Sequence, residues 1–297
     1  MIKDYNKWSL YFFEKINKYK IDNRYLSINK NINENTIDKH IEYKWNLKGL
    51  CDNPSISYEY LQKIIKNDRI DYTECELYYY KQNICKKSTY KIEDALKDAL
   101  KETDKDINIS KLSLNNNIKM EDIEKDIKWD YGYLSRNKNL KIEYVLENMD
   151  KNWDFRAIVR NPIFHISCKN RTLLRCKNEY FENPNFDLYE YISEIPIKSY
   201  LEISRSIHNN ENIDKKMIND INTMYPEFEF NYELLGDKKN FDFNYILSEN
   251  RNWNVYYLSQ NPNISFELID NEMYEWDYKV MSLNTFDRER EKYINKN

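Results

Sequence analysis

Trp253-Asn254-Val255-Tyr256-Tyr257-Leu258-Ser259-Gln260-Asn261-Pro262-Asn263-Ile264, followed by Ser265-Phe266-Glu267-Leu268-Ile269, is the stretch that decides how the chain is read. As a pattern it is Trp, then Asp or Asn, three variable residues, Leu-Ser-x-Asn-Pro-x-Ile, and a short amphipathic run. Trp253, Tyr257 and Leu258 are spaced to share one helical face. The Asp or Asn after the Trp offers a side-chain oxygen to the free N–H groups of a first turn. Pro262 disfavours helical dihedrals at Asn261 and cannot itself extend a helix, so Asn-Pro reads as a helix stop. Ser265 then reads as the N-cap of a second helix. One unit is thus predicted to be two helices of about 7 to 10 residues, too short to be stable alone and dependent on stacking against neighbours.

The phrase recurs along most of the chain. Full copies begin at Trp45, with Cys51 in the Ser position, at Trp129 and at Trp153, and a partial copy begins at Trp276. Weaker copies lie at Tyr25–Ile32, Leu112–Ile118, Tyr180–Phe186, Ile207–Ile213 and Phe230–Phe241. Trp129 to Trp153 is 24 residues, and both Phe230 to Trp253 and Trp253 to Trp276 are 23. A fixed period of this length is the mark of a solenoid. The expected fold is therefore all-α: an alpha-solenoid of stacked short helix pairs, about 23–28 residues per repeat. Residues 1–20, with Trp8, Phe12 and Ile16, read as a capping helix for a first repeat that has no upstream neighbour. Residues 21–286 form the array, irregular at 71–105 and 187–229, and 287–297 form a charged tail expected to fray. Ile92–Leu100 has the apolar spacing of an ordinary helix. The alternation at Phe241-Asp242-Phe243-Asn244-Tyr245 leaves a local strand as the alternative there.

The totals fit a folded protein. Mean hydropathy is −0.92, yet 15% of residues are aromatic, and disordered chains are aromatic-poor. With only 3 glycines, asparagine is left to serve turns and caps; much of its excess, with that of Lys, Ile and Tyr, fits an AT-rich genome and is discounted as evidence of function. Net charge is −4, with both signs interleaved, which argues against a nucleic-acid track. The five cysteines are odd in number and scattered, which points to a reducing compartment rather than a disulfide scaffold. No run approaches the length of a membrane span.

The phrase resembles a repeat of uncharacterised proteins from giant DNA viruses of amoebae, the mimivirus-like group, at Trp45–Leu61, Trp129–Leu146, Trp153–Phe164 and Trp253–Ile269. That resemblance implies a helical repeat protein with no established enzyme activity. It also implies a host-cytoplasmic (viral-factory) or virion location, not secretion.

No catalytic constellation emerges. His165, Cys168 and Cys176 are the one His/Cys cluster, but the Cys pair is too widely spaced for zinc and a fourth ligand is missing. His40 and His208 have no partner that sequence places beside them. Gly49, Gly132 and Gly236 are solitary, so no phosphate cradle forms. Asp130, Asp154 and Asp277 read as helix-start residues rather than a cation ladder. The Asn-Pro pairs at 53, 161, 183 and 261 read as helix stops rather than ligand amides. Lys86-Lys87 and Lys238-Lys239 are short basic steps on a mixed surface. The expectation is a noncatalytic protein-binding scaffold without catalytic, cofactor or metal residues, engaging host or viral proteins along a row of equivalent exposed aromatics. The alternatives are a structural or self-associating assembly component, driven by incomplete terminal caps, and, less favoured, a nucleic-acid-binding repeat protein.

Overall fold

The computed structural model describes residues 2–90, 92–93, 96, 108–125, 127–194, 207–241, 243–248, 253–271 and 274–296. Among these the chain is all-α, with α- and 3-10 helices joined by turns and no strand. The stretch with strand-like alternation contributes instead to the helix Phe243–Ser248. Of the helix expected at Ile92–Leu100, Ile92, Glu93 and Leu96 are helical and Leu96 is buried; 94–95 and 97–100 lie outside the described residues. Two compact regions are present: a terminal region, Met1–Tyr90 with Tyr232–Asn297, and a central region, Lys91–Asn231.

The reference phrase folds as Val255–Leu258 and Phe266–Asp270. Asn254 caps the first helix, accepting from Tyr256 N–H at 2.9 Å, and Ser265 caps the second, accepting from Leu268 N–H at 3.1 Å. Asp22, Asn46, Asp130, Asp154 and Asp277 cap their helices in the same way, through side-chain oxygens that take otherwise unpartnered first-turn N–H groups. First helices such as Leu47–Asp52, Tyr131–Leu134 and Phe155–Arg160 run four to six residues, shorter than expected. The reason is that the capping residue follows the Trp, so the Trp stands before the helix rather than on its face. Trp45 and Trp153 remain buried, and their Nε1–H groups donate at 2.8 Å to His40 and Asn148 carbonyls, where the preceding helices end.

Two sets of buried polar side chains join successive copies, or repeats, of the sequence phrase. In the first, the serine of Leu-Ser donates to the carbonyl four residues back and accepts the N–H of the next repeat's capping residue. Ser135 Oγ bonds Tyr131 O at 2.7 Å and takes Asp154 N–H at 3.0 Å; Ser27 does the same with Asn23 O and Asn46 N–H. In the second, the asparagine after x ends its helix, as expected, but its side chain also turns inward. Asn161 Nδ2 donates to Ser135 O and Asn137 O of the previous repeat at 3.1 and 3.0 Å, while its Oδ1 accepts Ile163 N–H at 3.2 Å. Asn137, Asn183 and Asn53 each bridge back to two or more carbonyls in the same manner. These side chains are at most 5% exposed, so their amides bond backbone carbonyls inside the fold, some of which, such as Asn137 O and Asn161 O, also accept the main-chain N–H of Leu140 and Phe164. Asparagine thus serves bridges between copies of the phrase in addition to the turn and cap duties expected of it. Close approach sets Gly49: a Cβ there would lie 2.6 Å from Arg24 O and from Ser27 Cβ in the preceding repeat.

In the terminal region the row passes from the end of the chain to its beginning. Asn261 reaches Gly236 O, Asn284 reaches Ser259 O and Asn261 O, and Asn29 reaches Ser282 O and Asn284 O at 2.8 and 2.9 Å. The first repeat therefore does have a neighbour, the last one, contrary to the premise of the sequence reading. The N-terminal helix Ile2–Ile16 touches both: Trp8 Nε1 bonds Asn31 Oδ1, and Phe12 packs against Phe286. The charged stretch expected to fray is the helix Asp287–Lys296, with Tyr293 stacked on Tyr11 at 4.8 Å.

Candidate interaction surface

Most polar groups singled out in the sequence are consumed inside the fold. Asp130, Asp154 and Asp277 serve as caps. His165 is exposed and Cys168 and Cys176 are half-buried; among the described residues no group of three or more His, Cys, Asp or Glu is placed to hold a metal ion. His40 lies against the Phe13 ring, and His208 Nε2 accepts Asn231 N–H at 3.0 Å. All five cysteines are free; burial pushes the Cys51 thiol up to about 12, which makes it a poor nucleophile.

The Lys86-Lys87 step divides. Lys87 is 8% exposed and donates from Nζ to Asn53 O at 2.6 Å and Ile56 O at 2.8 Å. It stands where the next bridging asparagine is due. Burial lowers its ammonium to about 8, against the opposing pull of Cys51, Asp52 and Glu34. Lys238, from the second basic step, pairs with Asp237 at 3.3 Å.

The exposed large apolar side chains among the described residues are Tyr78, Leu146, Tyr189, Met224, Tyr256 and Ile294. They fall at unrelated slots of different repeats, so they do not build the row of equivalent aromatics that the sequence reading looks for. A row in register exists elsewhere. In the central region a groove of about 460 Å³ is lined by Arg136, Arg160, Glu182 and Asn209, with Pro162, Pro184 and Glu211 beside them. The first four each occupy the slot before a bridging asparagine, namely Asn137, Asn161, Asn183 and Asn210. The helix stop that turns the asparagine inward leaves its predecessor facing out.

The groove carries charge in both signs. Arg136 meets Asp154 at 2.8 Å and Arg160 meets Glu182 at 2.9 Å, each reaching into the next repeat. Both arginine side chains stay about half exposed, at 53% and 43%, so these pairs are solvent-screened and exchangeable. Ten Lys/Arg and four Asp/Glu lie between Arg136 and Asn178, a balance of +6 in a chain whose total is −4. Overall interleaving concealed this stretch; a running charge sum along the sequence would have found it.

Among the described residues the chain is all-α, and its central region carries a groove in which Arg136 and Arg160 stand in register with Glu182 and Asn209. The chain matches no protein-family model, no curated protein and no solved structure. Among the described residues no helix is long and apolar enough to cross a membrane.

Proposed function

We propose that the chain is a solenoid-type array of stacked short helix pairs acting as a noncatalytic protein-binding scaffold, and that the groove of the central region receives an acidic segment of a partner protein. The resemblance to repeats of giant viruses makes a viral or host protein the partner class. The observation that carries this reading is the register of Arg136, Arg160, Glu182 and Asn209. Equivalent positions of successive repeats are what an extended segment contacts, and arginine forks suit carboxylates. An acidic segment would displace Asp154 and Glu182 from guanidinium groups already at the surface, with little added desolvation.

The test is fluorescence anisotropy with a labelled Glu/Asp-rich peptide against an RNA oligomer of equal length. The arms are the native chain and the double variant Arg136→Gln/Arg160→Gln, with circular dichroism as the fold control. Peptide affinity should drop about tenfold in the variant and weaken with added salt. Equal peptide affinity in both proteins defeats the reading, and so does tighter binding of the RNA.

A further inference from the structure

The first and last repeats meet through the same bonds that join repeats adjacent in sequence. Asp22 N–H donates to Ser282 Oγ at 3.2 Å, as Asp154 N–H donates to Ser135 Oγ at 3.0 Å. Asn29 Nδ2 takes Ser282 O and Asn284 O, as Asn161 takes Ser135 O and Asn137 O. Asn31 Nδ2 takes Thr285 O at 2.8 Å, matching Asn185 on Pro162 O at 3.0 Å. Around this joint Lys18 and Tyr19 hold Asp270 at 2.8 and 2.7 Å, Tyr19 stacks on Tyr278, and Lys30 faces Asp287 at 3.4 Å.

Two features set the joint apart. Elsewhere a linker of about two dozen residues holds neighbouring repeats together; here the bonded residues lie more than 250 positions apart, so no short linker enforces their meeting. The joint also contains Phe286, buried, with φ of 47°. It is one of two non-glycine residues with positive φ among those described, and that conformation is strained for a side chain branching into a ring.

We propose that this joint is an exchangeable head-to-tail interface whose alternative partner is a second copy of the chain. When it parts, Asp22, Asn29 and Asn31 of one molecule seat on Ser282, Asn284 and Thr285 of another. The N-terminal helix travels with the donor side, because Trp8, Ser9 and Asn6 bond Asn31, Thr36 and Asn33. Every bond lost within one chain is regained between two, which is the thermodynamic basis of segment exchange. The incomplete ends expected from the sequence are thus complete in the monomer, and self-association requires opening rather than simple addition.

Two pools of the chain carrying different fluorophores are mixed at high concentration, warmed below the unfolding midpoint and cooled, and then sized by light scattering. Doubly labelled dimers and larger species are expected, decaying to monomer over days on dilution. The variant Lys18→Cys/Asp270→Cys, in a Cys75→Ser background and joined by a bis-maleimide with a central disulfide that spans the reach of the lost lysine side chain, should show at least tenfold fewer mixed species, and reduction of the linker should restore them. The proposal fails if labels never co-migrate, or if the stapled form exchanges as readily as the reduced form. Dimers of the variant that persist unchanged under the staple would place self-association on another surface and overturn the proposal.

Discussion

At the joint between the repeats of Asn137 and Asn161, a neutral amide reaches the carbonyls of Ser135 and Asn137 at 3.1 and 3.0 Å. At the joint after Asn53, an ammonium, that of Lys87, reaches the carbonyls of Asn53 and Ile56 at 2.6 and 2.8 Å. The helix leading to Lys87, Glu74–Asn83, has ten residues and continues as the 3-10 turn Ile84–Lys86. The nearest asparagine, Asn83, turns back to Tyr79 O within its own helix. A longer side chain from further along the chain then supplies the donor. The shared requirement is a hydrogen-bond donor for buried carbonyls, and asparagine is the cheaper answer. It brings two N–H donors and an acceptor with no charge, whereas lysine brings three donors, no acceptor and a charge to be desolvated.

The harshest way to break the asparagine side of this comparison is Asn161→Asp. The shape is kept, but an oxygen replaces Nδ2 against two carbonyl oxygens, and a carboxylate is placed in a site 5% exposed. A loss of about 4 kcal/mol or more at pH 7 is expected from the orphaned Ser135 carbonyl, from the bond lost at Asn137 O, which keeps only Leu140 N–H, and above all from a buried unpaired charge facing both oxygens. Urea unfolding measures it. The loss should shrink in mild acid as the carboxyl regains a proton. A cost under about 1 kcal/mol would mean that the amide bridge contributes little.

The lysine side is sharpened by pH. Lys87 has a folded-state value of about 8, below the ordinary 10.5. Between those values the unfolded chain binds the extra proton, so stability rises with pH across that window and the penalty is fully present below pH 8. The magnitude is roughly 3 kcal/mol. Half-buried tyrosines act in the opposite direction: desolvation raises Tyr43 to about 12, so their contribution to stability is lost above pH 10. Comparing the native chain with Lys87→Met at each pH removes their shared contribution. The difference in unfolding free energy should move toward the native chain by roughly 3 kcal/mol from pH 8 to 10.5. A flat difference would show that Lys87 is not desolvated as described.

Much of the local structure was legible because it is written in short-range chemistry. Asp154 before a helix, Ser265 as a cap, and Asn161 before Pro162 each follow from backbone groups within four residues. What was not legible depends on where the neighbouring repeat sits. Asn161 ends a helix whether or not its amide turns inward, so the stop explained the residue and hid the bridge. A clue was nonetheless present: the x of Asn-Pro-x-Ile is itself asparagine at Asn139, Asn185 and Asn263, and helix stopping gives no reason for that. The terminal joint was hidden by reading the chain as a line with two ends. Asp22, Ser27 and Asn29 already carry a full set of bridging groups, and a repeat without a neighbour would have nothing to do with Asn29. In the groove, Arg136 and Arg160 sit in a variable slot of the phrase, filled in other copies by Ile28, Asp52, Glu182, Gln260 and Leu283, so the pattern draws no attention to it.

The smallest effect separates the two asparagines of one repeat. Asn183 is buried and bonds Val159 O and Asn161 O, each at 2.8 Å. Asn185, two residues on, donates from an exposed position to Pro162 O at 3.0 Å. The chain contains its own control, because the slot of Asn185 is filled by Ile163 one repeat earlier, where no such amide exists. Water can replace the Asn185 bond but not those of Asn183. Asn185→Ala should therefore cost only about 0.5–1 kcal/mol, and Asn183→Ala about three times as much. Chemical denaturation of both variants side by side decides it. Equal costs would mean that both rows are shielded alike, and that the tolerance of isoleucine at residue 163 depends on a local repacking particular to that repeat.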